Sequence, residues 1–246
     1  GVFRFARNSP MGAFAALVLL ALCISALFAD AIAQYPYDKT HVTDRLEGAS
    51  GEYWLGTDGL GRDVFSRLVY GARVSLFVSL GAVAISMTFG TILGLLSGYR
   101  GGILDLAVQR VVDVAIAFPA LIIAISVVAV FSAGLFTVAI ILGVVMIATA
   151  TRLVRGETIS LRQETYIEAA RVLGASEVRI MLRHILPNTL PTIIVLCSLQ
   201  MGAAILAESS LSFLGFGIPP PHPSWGSMLT TSARNQMREA PLLSLY

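Results

Sequence analysis

Tyr166-Ile-Glu168-Ala169-Ala170-Arg171-Val-Leu-Gly174-Ala175-Ser176-Glu-Val-Arg-Ile-Met-Leu-Arg-His184-Ile-Leu-Pro187-Asn188 is a polar island between two apolar runs. Its apolar positions recur at helical spacing, first Tyr166, Ala169, Ala170 and Leu173, then Val178, Met181, Leu182 and Ile185. Gly174 separates the two sets, because glycine takes the left-handed conformation that ends a helix. Ser176 is a preferred N-cap for the next helix, and Pro187 is expected to stop that helix at Leu186. The spacing therefore predicts an elbow of two short amphipathic helices. Glu164, Glu168 and Arg171 form its polar face, and the small side chains of Ala169 and Ala170 would let a partner's backbone come close. Such an elbow suits docking at a membrane surface better than it suits solvent.

The runs around the elbow decide the environment. Of 246 residues, 56% are hydrophobic and 13% charged, with a mean hydropathy of +0.78. Soluble domains carry about a quarter of charged residues, so this composition describes an integral membrane protein. A helix needs about 20 apolar residues to span a bilayer. Five stretches come near that length, starting at Met11, Val74, about Leu106, Leu135 and about Thr189, and ending at about Ala33, about Tyr99, Ala133, about Thr151 and Leu214. None alternates apolar and polar residues as a barrel strand does, so the spans are read as helices and the fold class as all-α. The third and fourth are separated by Gly134 alone, which predicts a tight hairpin.

The chain divides on this reading into a stub and first span (1–34), an external segment with an interfacial helix (35–73), and a core (74–246). The core holds the elbow loop (152–187) and an external loop (215–246). Arginines at 100, 110, 152, 155, 162, 171, 179 and 183 join Arg4 and Arg7 on one side if the N-terminus is cytoplasmic, which places the elbow in the cytoplasm. Lys39, Arg45, Arg62, Arg67 and Arg73 would then lie outside among acidic residues, with Arg234 and Arg238 in the tail. Leu242-Leu-Ser-Leu-Tyr246 reads as the approach to a further helix.

Several segments invite chemistry and are better explained without it. Gly56-Thr-Asp58-Gly59-Leu-Gly61-Arg62-Asp63 lacks the Lys-Ser/Thr ending of a phosphate loop, and the single lysine, Lys39, follows no glycine-rich stretch. It is read as an external turn leading into an interfacial helix, with Val64, Leu68 and Gly71 on one side and Arg62, Asp63, Ser66 and Arg67 on the other. Cys23 and Cys197 fall inside spans, and His41, His184 and His222 have no ligand spacing, so no metal, cofactor or catalytic site is expected. Gly90, Gly94 and Gly98 put three glycines on one face of the second span, where a neighbouring helix can pack backbone to backbone. Pro119 predicts a kink in the third span. Glu208 is the one acidic residue deep in a span; a carboxylate there is costly and marks either a hydrogen-bonded structural position, with Ser209, Ser210 and Ser212 beside it, or a pathway residue.

Glu168-Ala169-Ala170, Gly174 and Leu186-Pro187 stand at the spacing that typifies membrane subunits of ATP-binding-cassette importers, with His184 in place of the usual isoleucine. His followed by an aliphatic residue, Leu, Pro and Asn resembles the peptide and nickel branch. So do Leu55 to Asp63 with Ser66-Arg67 and Gly71-Ala-Arg-Val-Ser75, Leu211-Ser-Phe-Leu-Gly215 with Gly217, and Pro219-Pro-Pro221 with Pro223-Ser-Trp225-Gly226. The subunit resembled is the C-type one of dipeptide and oligopeptide importers.

The resemblance implies a type I importer bundle of six helices in a bacterial cytoplasmic membrane, the sixth following Tyr246. Implied partners are a B-type permease subunit, two cytoplasmic ATPases that bind ATP and Mg, an external substrate-binding protein and the bilayer, without nucleic acid. Glu168, Ala169, Ala170, Arg171, Gly174, Ala175 and Pro187 would couple to an ATPase. Glu208, Ser209 and Ser212 would serve the pathway or a gate, and Pro221 and Trp225, in a loop running from Gly217 to Pro241, would meet the binding protein. The implied cargo is di- or oligopeptide, with nickel, glutathione or another small solute as the alternative. An ion-coupled secondary transporter is a more distant reading, since it would need charged groups repeated through several spans.

Overall fold

The computed structural model describes residues 10–231, and the described residues are helical apart from loops and one isolated bridge between Thr57 and Asp63. Arg4, Arg7, Arg234, Arg238 and the stretch Leu242 to Tyr246, read as the approach to a further helix, lie outside the described residues. The helices are α1 (Pro10–Leu27), α2 (Ala29–Ile32), α3 (Val64–Arg100), α4 (Gly102–Ala117), α5 (Ala120–Phe131), α6 (Leu135–Arg162), α7 (Thr165–Val172), α8 (Glu177–Ile180), α9 (Leu186–Phe213) and α10 (Trp225–Thr231). Four are long and apolar enough to cross a membrane, or five if the bent pair α4 and α5 counts as one span. Two compact units are formed: one of the residues up to Phe77 with those from Ser209 onward, the other Val78–Glu208.

In the first unit α1 ends earlier than its apolar run. Arg73 donates from Nε to the Ala26 carbonyl at 2.7 Å and from NH2 to the Leu27 carbonyl at 3.3 Å, taking up acceptors that the last turn leaves free. The same guanidinium meets Asp30 at 2.9 Å, and the Tyr70 hydroxyl donates to that carboxylate at 2.7 Å.

The interfacial helix and second span, expected as separate elements, are one continuous helix, α3. No proline or capping residue interrupts the chain between them, so the hydrogen-bond ladder simply continues. At 37 residues and 1.5 Å per residue it is about 55 Å long, well beyond the ~30 Å hydrocarbon layer. Its start is fixed by Asp63, whose carboxylate accepts the Ser66 N–H at 2.8 Å. Asp58 is the hub of the preceding loop, accepting from the backbone of Leu60 and Arg62 and pairing with the Arg62 and Arg67 side chains. Ser66 and Arg67, on the polar side of the expected interfacial helix, are buried: the Ser66 hydroxyl accepts the Tyr35 N–H at 3.1 Å and Arg67 donates to the Tyr37 carbonyl at 3.1 Å.

In the second unit the glycine face of α3 does what its spacing predicts. A Cβ at Gly90 would lie 2.4 Å from the Ala150 Cβ, one at Gly94 would lie 2.8 Å from the Val154 Cβ, and one at Gly98 would lie 2.8 Å from the Thr158 Cβ. Gly143 of α6 returns the contact against Ile85. Helix α6 runs eleven residues past the expected end of its span, to Arg162, and carries the chain to the elbow.

Pro119 does more than kink the third span. Phe118 and Pro119 both adopt extended backbone, with ψ of 139° and 122°, and α4 and α5 meet at 87°. Proline both lacks a donor and pushes its predecessor out of the helical region, so two residues leave the helix instead of one hydrogen bond being lost. Both halves pack on α6.

The elbow as candidate functional site

Helix α7 begins after Glu164 and ends at Val172 with Leu173 as its C-cap, and Gly174 takes φ +80°, the left-handed turn its sequence position required. The Gly174 N–H donates to the Arg171 carbonyl at 3.0 Å and the Ala175 N–H to the Ala170 carbonyl at 3.1 Å, closing the helix end. Ser176 then caps α8, its hydroxyl accepting the Arg179 N–H at 3.4 Å.

Pro187 does not stop the second helix. Residues Met181–Ile185 form a π turn, and the helix passes without interruption from α8 into α9. The wider turn lets Leu186 donate to the Met181 carbonyl, five residues back, so the proline enters where the ladder has already shifted register. Side chains take up neighbouring carbonyls: Asn188 Nδ2 donates to His184 O at 2.6 Å and Thr189 Oγ1 to Ile185 O at 2.9 Å. A second proline, Pro191, is carried inside α9 as well.

The buried face of the elbow is only in part the one its spacing suggested: Met181 and Ile185 are buried as read, while Ile167 and Ile180 lay outside the repeat. Ile167, Ile180, Met181 and Ile185 are the buried anchors, packed among α6, α7, α8 and the π turn. Tyr166, Leu173, Val178 and Leu182, which the periodicity assigned to the inner face, are exposed, Leu173 at 87% and its neighbour Val172 at 82%. Two helices this short touch the bundle along a narrow line, so one isoleucine per turn fills the contact. The remaining apolar positions point away. Glu168, Ala169, Arg171 and Gly174 are exposed with them, Ala170 and Ala175 are half-buried, and Pro187 is exposed at the start of α9.

Behind the elbow, α4 and α6 are tied by two arginine–aspartate pairs. Arg155 grips Asp105 with Nε at 2.5 Å and NH2 at 2.6 Å, and Arg152 reaches Asp113. The buried Ser86 hydroxyl donates to the Gln200 side-chain oxygen at 2.7 Å, joining α3 to α9. Glu208 is fully buried on α9.

In the first unit, Ser212 is buried and its hydroxyl accepts from Ser224 at 3.1 Å, while Ser209 packs against Gly226. Trp225 is half-buried, its indole N–H donating to the Leu68 carbonyl at 3.2 Å and its ring lying on Gly71. It holds the loop onto α3, leaving Pro221 and His222 as the exposed tip. His222 stacks on Tyr37 with ring centroids 5.7 Å apart.

The segment before α3 contributes a polar lock that the sequence did not reveal. Asp44 accepts from the Thr43 hydroxyl at 2.7 Å and the buried Tyr53 hydroxyl at 2.9 Å, and Thr57 Oγ1 donates to the Asp44 carbonyl. Chiefly the Thr43 hydrogen bond, and then that of Tyr53, holds the Asp44 carboxyl below the usual range. The same bond to Asp44, with desolvation, pushes the Tyr53 phenol up.

Apolar helices long enough to cross a membrane, with an exposed elbow of two short helices between α6 and α9, suit a transport permease. Residues 90–245 match the family model for the binding-protein-dependent transport system inner membrane component, and the chain belongs to that family. It is therefore a permease subunit of an ATP-binding-cassette importer, a multi-pass inner membrane protein of the C-type in the dipeptide and oligopeptide branch. It is 43% identical to the glutathione transport system permease protein of Pectobacterium atrosepticum over 99% of this chain and 80% of that one. It is 40% identical to the dipeptide transport system permease protein of Alkalihalophilus pseudofirmus, and 44% identical to the glutathione transport system permease protein of Escherichia coli, with the same coverage of each. Membership implies ATPase, substrate-binding and second permease partners.

Proposed function

We propose that the elbow is the seat of a separate ATPase subunit and that the chain passes short peptides across the membrane. One observation carries the first part: the elbow is anchored by buried Ile167, Ile180 and Ile185 while Val172 and Leu173 stand out from its tip. Apolar surface removed from water is worth about 25 cal/mol per Å², so a partner that covers this tip gains from doing so. Glu168 and Arg171 flank it and offer charge to that partner, and exposed Ala169 beside half-buried Ala170 lets a backbone approach. ATP and Mg bind the partner, and this chain performs no covalent step. The ATPases switch the permease only to the extent that they grip the elbow differently in their open and closed states.

On this reading the elbow and the N-terminus face the cytoplasm, and a B-type subunit completes the pathway. Pro187 supports the elbow by placing the π turn at the root of α9. Glu208, Ser209 and Ser212 on α9 are the pathway or gate candidates. The exposed loop tip at Pro221, held by Trp225, meets the binding protein.

Di- or oligopeptide is the cargo favoured here, because relatives are named for dipeptide and for glutathione, itself a small peptide. Nickel or another small solute is the alternative.

Gly174→Asp and Glu168→Lys test the coupling. Both are expected to leave membrane insertion intact, to lose the ATPase on copurification and to abolish uptake. Full uptake by either at normal expression would overturn the role. The ligand that copurifies with the cognate binding protein tests the cargo: a short peptide supports it, and a metal chelate overturns it.

A further inference from the structure

The elbow closes one side of a cleft of about 280 Å³ lined by Tyr99, Arg100, Arg162, Arg171, Ala175, Glu177 and Ile180. Three guanidiniums enter it from three elements: Arg100 from the end of α3, Arg162 from the end of α6 and Arg171 from α7. A single carboxylate, Glu177, is set against them, and it is held by Arg100 at 3.1 Å. Arg162 lies over the Tyr99 ring, 5.8 Å from its centroid, and neither it nor Arg171 has an ion-pair partner among the described residues. The cleft therefore holds two unneutralised planar cations.

Its place sharpens the chemistry. Arg100 and Arg162 are the last residues of two helices long enough to span a bilayer, and Tyr99 beside them is a residue type favoured at the headgroup level. Gly101, at φ +68°, leaves room under Arg162, whose NH1 lies 3.6 Å from where a Cβ would sit. Guanidinium forks match phosphate oxygens bidentately, and basic pockets between helix ends at the membrane surface are suited to anionic headgroups.

We propose that this cleft is a phosphate-binding site that takes the headgroup of an anionic phospholipid and ties α7 to the ends of α3 and α6. A diester phosphate bridging Arg162 and Arg171 would neutralise the cleft and hold the elbow at a fixed distance from the bundle. Arg171 serves both this cleft and the proposed ATPase seat, so the test varies Arg162, which that seat does not use.

The test uses the assembled transporter in nanodiscs of phosphatidylcholine containing a small share of phosphatidylglycerol, with retained lipid measured by native mass spectrometry. Wild type is expected to retain phosphatidylglycerol in preference to phosphatidylcholine. Arg162→Gln is expected to reduce that preference about fivefold, since a basic group near an anionic surface contributes about 1 kcal/mol. Arg162→Lys, which keeps the charge and loses the fork, is expected to fall between them, and Arg110→Gln, at an exposed arginine outside the cleft, should match wild type. Millimolar inorganic phosphate that displaces the retained lipid would overturn the headgroup assignment in favour of a soluble phosphate. Equal retention of the two lipids by wild type, or an Arg162→Gln protein at normal yield that still discriminates fully, would overturn the site.

Discussion

Arg155 of α6 and Asp105 of α4 meet in a two-pronged ion pair, Nε to Oδ1 at 2.5 Å and NH2 to Oδ2 at 2.6 Å, with both side chains half-buried. Fork geometry sets the angle as well as the distance between the two helices. Asp105→Asn is expected to lower permease stability by about 1 kcal/mol, the pair being partly exposed and screened. Asp105→Arg with Arg155→Asp should recover part of what either reversal loses. Thermal unfolding in detergent would read both, and a double variant no better than the worse single one would dismiss the pairing as incidental.

Gly94, midway along the glycine face, tests the α3 to α6 packing, since a Cβ there would lie 2.8 Å from the Val154 Cβ and 2.9 Å from the Thr151 carbonyl. Gly94→Val should destabilise by about 1–3 kcal/mol, as overpacking does. Gly156→Ala on α6, where nothing lies within 4 Å of the new carbon, should be neutral or slightly stabilising. Similar melting temperatures for the two variants would contradict the close approach.

The elbow separates anchoring from docking. Ile167→Ala removes a fully buried side chain and is expected to cost about 2–5 kcal/mol of permease stability. Leu173→Ala, at an 87% exposed position, should leave stability unchanged and weaken retention of the ATPase on copurification. Retention unaffected by Leu173→Ala would remove the tip from the docking surface.

Asp44 and Tyr53 predict how the external segment responds to pH. The Asp44 carboxyl is depressed, so its contribution is present above the unfolded carboxyl value and is lost as pH falls below about 4. The Tyr53 phenol is raised, so its contribution is intact below about 10 and is lost as pH climbs past that value. Among seven tyrosines, Tyr53 should be the last to ionise in a spectrophotometric titration. Tyr53→Phe should remove the late-titrating phenol; an unchanged titration curve would contradict the lock.

Much of this was legible in the sequence because the controlling physics is local or one-dimensional. Apolar runs of bilayer length have few alternatives to helix, a glycine between two amphipathic segments ends one of them, and three glycines four residues apart leave one helix face bare. Gly174, Ser176 and the Gly90, Gly94, Gly98 face therefore stand where they were read. The misreadings share a different cause. Whether Pro187 ends a helix depends on whether the turn before it can widen, and whether Pro119 kinks or breaks one depends on where the two halves find their packing partners.

The inner face of the elbow is the clearest case. Periodicity singles out Tyr166, Leu173, Val178 and Leu182, which are exposed, and passes over Ile167 and Ile180, which are buried. The sequence alone determined the class of protein, its helical spans and the existence and hinge of the elbow, because hydropathy and backbone preference act residue by residue. The tertiary structure decided which isoleucines hold the elbow, which apolar side chains it presents outward, and that Arg162 and Arg171 share a cleft, because those follow from contacts between segments far apart in the chain.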